Sequence, residues 1–174
     1  MELRIYPDPV LRKATEPVDA FDGDLKAVAE EMVETMWAHN GLGLAGPQVG
    51  LGQSIAIVSP DGEPGNEIVL VNPEIVETDG WQAGDEGCLS FPGIFVKIRR
   101  SKWIRVRYRD VTGQESEREA EGLLARAIQH ECDHLAGRLI IDRMSPVQRM
   151  AERRRLRELK DRYARQTAGA ETTG

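Results

Sequence analysis

The run His130-Glu131-Cys132-Asp133-His134 restricts this chain more than any other stretch. On an α-helix, histidines four apart stand on one face, a turn above one another, so both imidazoles can reach a single metal ion. Glu131 is next to the first imidazole but displaced around the helix. From there it can take a proton from water without occupying a coordination position, as a general base must. The surrounding residues support a helix from about Glu121 to Ala136, closed by Gly137. Cys132 would lie about 200° around that helix from either histidine and is expected to point into the core.

A catalytic site of this kind needs a third protein ligand and one open position. The chain has only three histidines and two cysteines, so the search is short and a disulfide scaffold is excluded. His39 ends an amphipathic stretch, where a capping or solvated role suits it. Beyond Ala136 there is no histidine, and the acids lie among arginines. Cys88 is the strong candidate, because a thiolate is an excellent ligand for a divalent transition metal.

At 174 residues, 40% hydrophobic and 30% charged, the chain is expected to form one domain over residues 1–166. It has no internal repeat and no linker. No apolar run approaches the ~20 residues of a membrane span. Met1 to Pro7 lacks the basic-then-apolar layout of a secretory signal. The chain is therefore read as soluble and cytoplasmic. Asp22 opens a helix whose Leu25, Val28, Ala29, Met32, Val33 and Met36 recur at helical spacing. The stretch Gly41 to Gly50 is too glycine-rich for an ordinary helix or strand. Strands are expected at Ser54–Val58, Ile68–Val76, Phe95–Ile98 and Trp103–Tyr108, with an extended segment around Glu86–Ser90. Unequally spaced helices among these strands predict an α+β fold: mixed, mainly antiparallel strands around a central metal-binding helix, with one N-terminal and one C-terminal helix.

Three separated segments resemble the motifs of the peptide deformylase family. They are Gly41-Leu42-Gly43-Leu44-Ala45-Gly46-Pro47-Gln48, Glu86-Gly87-Cys88-Leu89-Ser90 and Gln129-His130-Glu131-Cys132-Asp133-His134-Leu135. The opening Tyr6-Pro7-Asp8-Pro9-Val10-Leu11-Arg12 is similar to the family's start. The resemblance implies removal of the formyl group from the N-terminal formylmethionine of nascent polypeptides, with release of formate. It implies one divalent ion, Fe2+ in the cell with Zn2+, Ni2+ or Co2+ able to replace it, on Cys88, His130 and His134. It also implies Glu131 as acid/base, with the Gln48 side-chain amide and the Leu89 N–H donating to the formyl oxygen. The rival readings are another amidohydrolase or metallopeptidase on the same helix motif, and a non-catalytic metal-binding module.

The glycine-rich segment lacks the Lys-Ser/Thr ending of a phosphate loop. At Gly43 the absence of a side chain is taken to let substrate backbone approach. Leu123 and Ala127, seven and three residues before His130, lie on the metal-facing side of the helix, and Leu42 adds to the wall of a methionine pocket. Departures from the family's wording fall at Gly46 (which would loosen the loop), Cys132, Arg126 and Phe95. Arg126 reads as a solvated helix charge.

Charge is unevenly spread. Residues 1–142 carry 14 Lys and Arg against 25 Asp and Glu, whereas residues 143–166 carry 9 against 3. The acidic body disfavours general nucleic-acid binding, and no sequence-specific nucleic-acid partner is expected. A helix at 145–165, opened by Ser145-Pro146, is expected to dock an apolar stripe of Val147, Met150, Leu156, Leu159 and Tyr163. Its basic face is solvated, or it touches ribosomal RNA. Residues 167–174 are expected to be a disordered tail.

Overall fold

The computed structural model describes residues 1–171. Its strands are β1 (Gly43–Ala45), β2 (Ile55–Val58), β3 (Ile68–Asp79), β4 (Gln82–Gly87), β5 (Phe95–Arg100), β6 (Trp103–Arg109) and β7 (Glu115–Glu121). Its α-helices are α1 (Gly23–Ala38), α2 (Gly122–Leu135), α3 (Ile140–Arg143), α4 (Pro146–Ala151) and α5 (Arg153–Glu171). An antiparallel sheet runs in the order β1-β2-β3-β6-β7, and β4 and β5 form a separate antiparallel hairpin. The fold is the expected α+β arrangement.

Strand β2, Ile-Ala-Ile-Val, is apolar and buried at all four positions, so both faces of the sheet must be covered here. Side chains alternate across a strand. Ile55 and Ile57 pack with Leu25, Met32 and Met36 of α1. On the opposite face Val58 packs with Ala125 and Ile128 of α2, and Ala56 with Ala45 and Leu135. Each fully buried side chain of this size contributes roughly 1.5–3 kcal/mol. The two alanines let α2 lie close against the strands, which fixes the metal-binding helix on the sheet. Asp22 caps α1, accepting from the N–H groups of Asp24 and Leu25.

The structure corrects three expectations and adds a strand not expected from the sequence. Gly43–Ala45 is a strand despite its glycine, paired with Ala56–Val58, and Gly46–Val49 follows as a single 3-10 turn. Glu115–Glu121 pairs with all of β6 although its sequence has no apolar alternation and only Ala120 is buried. Cross-strand charge takes the place of apolar packing there: Arg105 faces Glu119 at 3.1 Å, Arg107 faces Glu117 at 3.6 Å and Arg109 faces Glu115 at 2.6 Å. The C-terminal helix is two helices, α4 and α5. Val147 and Met150 are 71% and 70% exposed, so only Leu156, Leu159 and Tyr163 of the expected stripe turn inward. Leu159 is buried with Leu11, Phe91, Ile94 and Ile140. Finally, the chain from Thr167 continues as helix to Glu171, with the Thr167 hydroxyl donating back to the Tyr163 carbonyl at 3.1 Å. Residues 172–174 of the expected tail lie outside the described residues. Among the described residues no helix is long and apolar enough to cross a membrane.

Candidate metal centre

Helix α2 turns His130 and His134 towards Glu86 and Cys88 of the hairpin and its loop, and Glu131 towards Gly43 of β1; Cys88 follows directly on the last residue of β4. The donor atoms of Cys88, His130 and His134 lie within 4.8 Å of one another, with the sulfur 3.2 Å from His134 Nε2. The loop bearing Cys88 is braced by Phe91 N–H to the Cys88 carbonyl at 2.9 Å and by Tyr6 N–H to the Ser90 carbonyl at 3.0 Å. Gln48 is buried in the turn after β1. Its Oε1 accepts the Ala45 N–H at 2.8 Å, which fixes the amide so that Nε2 faces Cys88 Sγ at 3.6 Å and Ser90 Oγ at 3.4 Å. The N-terminal segment secures that turn too, through Arg4 N–H to the Gln48 carbonyl at 2.7 Å.

Behind the histidines lies a buried ionic group. His130 Nδ1 donates to Glu86 Oε2 at 3.1 Å. Arg100 forks onto the same carboxylate, Nε to Oε1 at 2.6 Å and Nη2 to Oε2 at 2.9 Å, and its Nη1 reaches Asp133 at 2.8 Å. Burial alone would raise the Glu86 pKa, but the hydrogen bonds from His130 and Arg100 overcome it and bring it down to about 2. With Nδ1 committed to the carboxylate, His130 is left with Nε2 for an ion, the carboxylate–histidine arrangement that orients metal ligands.

One thiolate and two imidazoles suit a divalent transition metal, and three protein ligands leave a position open. The two imidazoles are pushed in opposite directions. Burial pushes the His130 imidazole towards neutrality, yet Cys88 and Glu86 outweigh it and hold its pKa well above the usual value. His134, buried beside His130, moves well below it. Glu131 Oε2 is buried with no hydrogen-bond partner among the described residues. Burial raises the Glu131 pKa to about 7. The residues therefore fit a metal ion with a free carboxylate at its side. They open onto a cleft of about 830 Å3, lined by Leu42, Gly43, Phe95, Leu123 and Ala127 among others.

The sequence profile described as polypeptide deformylase matches residues 1–150. The chain belongs to this family. It is 48% identical over 158 residues to the peptide deformylase of Thermotoga sp. (strain RQ2), covering 90% of this chain and 94% of the relative. Peptide deformylase 1B of Arabidopsis thaliana, solved in complex with an inhibitor, superposes with a TM-score of 0.93 at 41% identity, over 97% of this chain and 94% of that one. The peptide deformylase of Thermotoga maritima gives a TM-score of 0.79 at 49% identity, over 83% and 97%.

The deformylase motifs thus converge, and the structure adds to each. A Cβ on Gly43 would lie 2.2 Å from Glu131 Oε1, so this glycine makes room for the carboxylate itself. A Cβ on Gly46 would lie 2.8 Å from the Gln53 carbonyl, so glycine packs here and does not loosen the loop. Leu42 and Leu123 sit exposed on the rim of the cleft, with Ala127 lower on α2. The Leu89 N–H has no partner within the described residues, in the turn beside Cys88. His39 caps α1, its Nδ1 2.9 Å from the Thr35 carbonyl. Cys132 packs on the sheet side of α2, where burial pushes its thiol up to about 12. Arg126 is no solvated charge. It is 6% exposed and donates to Glu86 at 2.6 Å. Sequence reasoning missed Glu86 and Arg100 as parts of the site. The available signal was Arg100 itself, which takes the inward place after Val96 and Ile98 and so requires a buried acid.

Proposed function

We propose that this chain hydrolyses the formyl group from the N-terminal formylmethionine of newly synthesised polypeptides and releases formate. One observation carries the reading: the Glu131 carboxylate stands free beside three converged metal donors, at the base of a largely apolar cleft that the Gln48 amide also reaches. A divalent cation on Cys88, His130 and His134 would lower the pKa of water towards ~7 and polarise the formyl carbonyl. The chain's own residues do the rest. Glu131 takes a proton from the attacking water as its oxygen bonds to the formyl carbon. The carbonyl oxygen becomes negative and accepts from Gln48 Nε2–H and Leu89 N–H. Glu131 then gives the proton to the amide nitrogen, the C–N bond breaks, and formate and a free amine depart. Leu42, Leu123 and Ala127 border the methionine side chain, and Gly43 keeps the carboxylate's space clear. The test is formate release from a formyl-Met peptide by anaerobically purified protein. Cleavage of unformylated peptides instead, or no release by metal-loaded protein, refutes the reading.

We further infer Fe2+ as the ion in the cell, with Zn2+, Ni2+ or Co2+ able to occupy a site whose thiolate and imidazoles accept them all. The family supports that choice, and metal analysis of protein purified without oxygen tests it. A cytoplasmic location follows from the same substrate. The basic face of α5 supports contact with ribosomal RNA, a salt-dependent attraction. Reversing the charge of the exposed Arg154 and Arg157 should reduce ribosome co-sedimentation, and unchanged co-sedimentation removes the idea.

A further inference from the structure

Arg126 lies one turn before His130 on α2, and its guanidinium is buried against the hairpin. Nη1 donates to three acceptors: Glu86 Oε1 at 2.6 Å, the Ile98 carbonyl at 3.0 Å and the Gly84 carbonyl at 3.3 Å. Those carbonyls belong to both strands of the hairpin whose connecting loop carries Cys88. A Cβ on Gly84 would come within 3.0 Å of Arg126 Nη2, so β4 uses glycine where the guanidinium passes. Burying an arginine carries a large desolvation cost unless it is paired with a charge. Here that cost is met at one place only, the joint between the helix that carries two metal donors and the hairpin that carries the third.

We propose that Arg126 is a positioning residue for the metal centre. It ties α2 to the β4–β5 hairpin, and by engaging Glu86 Oε1 it leaves Oε2 aimed at His130 Nδ1. Arg100 references Glu86 to β5 and, through Asp133, to the later part of α2, whereas Arg126 references it directly to the turn before His130. Without Arg126, Glu86 keeps the Arg100 fork and its bond to His130 but loses its direct tie to the turn of α2 that precedes His130. The His130 ring and the separation between Cys88 and the histidines then lose their definition. Arg126 acts through Glu86 and the backbone, not on the reacting atoms.

This role rests on the metal-site reading above, and a Co2+ titration separates the two. The measurements are the Co2+ dissociation constant by chelator competition, the visible d–d and thiolate-to-cobalt bands, and circular dichroism of the metal-free protein. Wild type should bind one Co2+ with a thiolate band. Its absence before any substitution is made would overturn the metal-site reading, and this role with it. Arg126→Leu should bind Co2+ about 10-fold more weakly, the lower end of the usual effect of residues behind metal ligands. Its d–d bands should shift while the fold signal stays. Arg126→Lys should recover part of the affinity. Gly84→Ala, which presses on the guanidinium, should show a smaller loss in the same direction and add nothing in the Arg126→Leu background. Wild-type affinity and spectrum in folded Arg126→Leu overturn the proposal. Should that variant fail to fold, unchanged Co2+ binding by Gly84→Ala overturns it equally.

Discussion

Replacing Gly43 with alanine perturbs Glu131 without touching it chemically. The new methyl carbon would start 2.2 Å from Oε1, 2.9 Å from Cδ and 3.1 Å from Cγ of Glu131. Non-bonded heavy atoms settle at about 3.5 Å, so the carboxylate has to retreat by roughly 1 Å. A displacement of that size in a reacting group costs on the order of 10²-fold in rate, about 2.7 kcal/mol of barrier. Gly43 does not have a left-handed backbone, so alanine fits the chain locally. It should even offset some strain by restricting the unfolded state, by about 0.4–1 kcal/mol. The expected result is a kcat/KM for a formyl-Met peptide lowered about 10²-fold, with one Co2+ still bound and a Tm within a few degrees of wild type. In a Glu131→Gln background, Gly43→Ala should cost nothing further, because both changes act on the same group. Near-wild-type turnover by a folded Gly43→Ala protein would refute the reasoning, since it would mean the carboxylate's place is not set by that strand.

Four other outcomes follow from the same geometry. Glu131→Gln should keep stoichiometric metal and lose nearly all turnover, checked by metal analysis beside formate release. Gln48→Leu should lower kcat by roughly 10²–10³, the usual effect of removing one oxyanion donor; a change confined to KM would instead make Gln48 a simple binding group. Leu159→Ala should lower the unfolding free energy by about 2–5 kcal/mol in a denaturant titration, because its side chain fills the cluster around Phe91 and Ile94. Asp142 gives a pH dependence. Burial raises its pKa, but hydrogen bonds from Arg12 and the Leu139 N–H outweigh it and hold the carboxyl below its usual value. Its contribution is therefore present above the ordinary carboxylate range and lost as pH falls below about 4. The Arg12–Asp142 pair is exposed, so the loss is below about 1 kcal/mol, and Asp142→Asn should remove it from a plot of Tm against pH.

What was legible in the sequence was whatever depends on short-range periodicity. The faces of α1 and α2, the Asp22 and Ser145 caps and the His130–His134 spacing each follow from residues within a turn or two of one another. The Cys88 ligand was legible because few residue types can bind a soft divalent ion and the chain has so few of them. Strand β7 was not, because its stability comes from Arg105, Arg107 and Arg109 on another strand. Arg126 read as solvated for the same reason: its partners Glu86, Gly84 and Ile98 are 28 to 42 residues away in sequence. Gly43 was recognised as a place where a side chain must be missing, but the group that needs the room is 88 positions further on. Long-range charge pairing and close approach leave no local period to read.

The pairing of β4 with β5 has a consequence for how the metal centre can vary. Glu86 faces inward opposite Val96, and Gly87 lies opposite Phe95, whose ring would collide with any Cβ there at 2.6 Å. A slip of one residue would turn Glu86 to solvent and put Asp85 or Gly87 in its stead, because strand side chains have only two settings. Drift by small steps is thereby closed to this hairpin. Insertions or deletions within it should abolish ion binding outright, while changes that respect the alternation leave the ligands where they are.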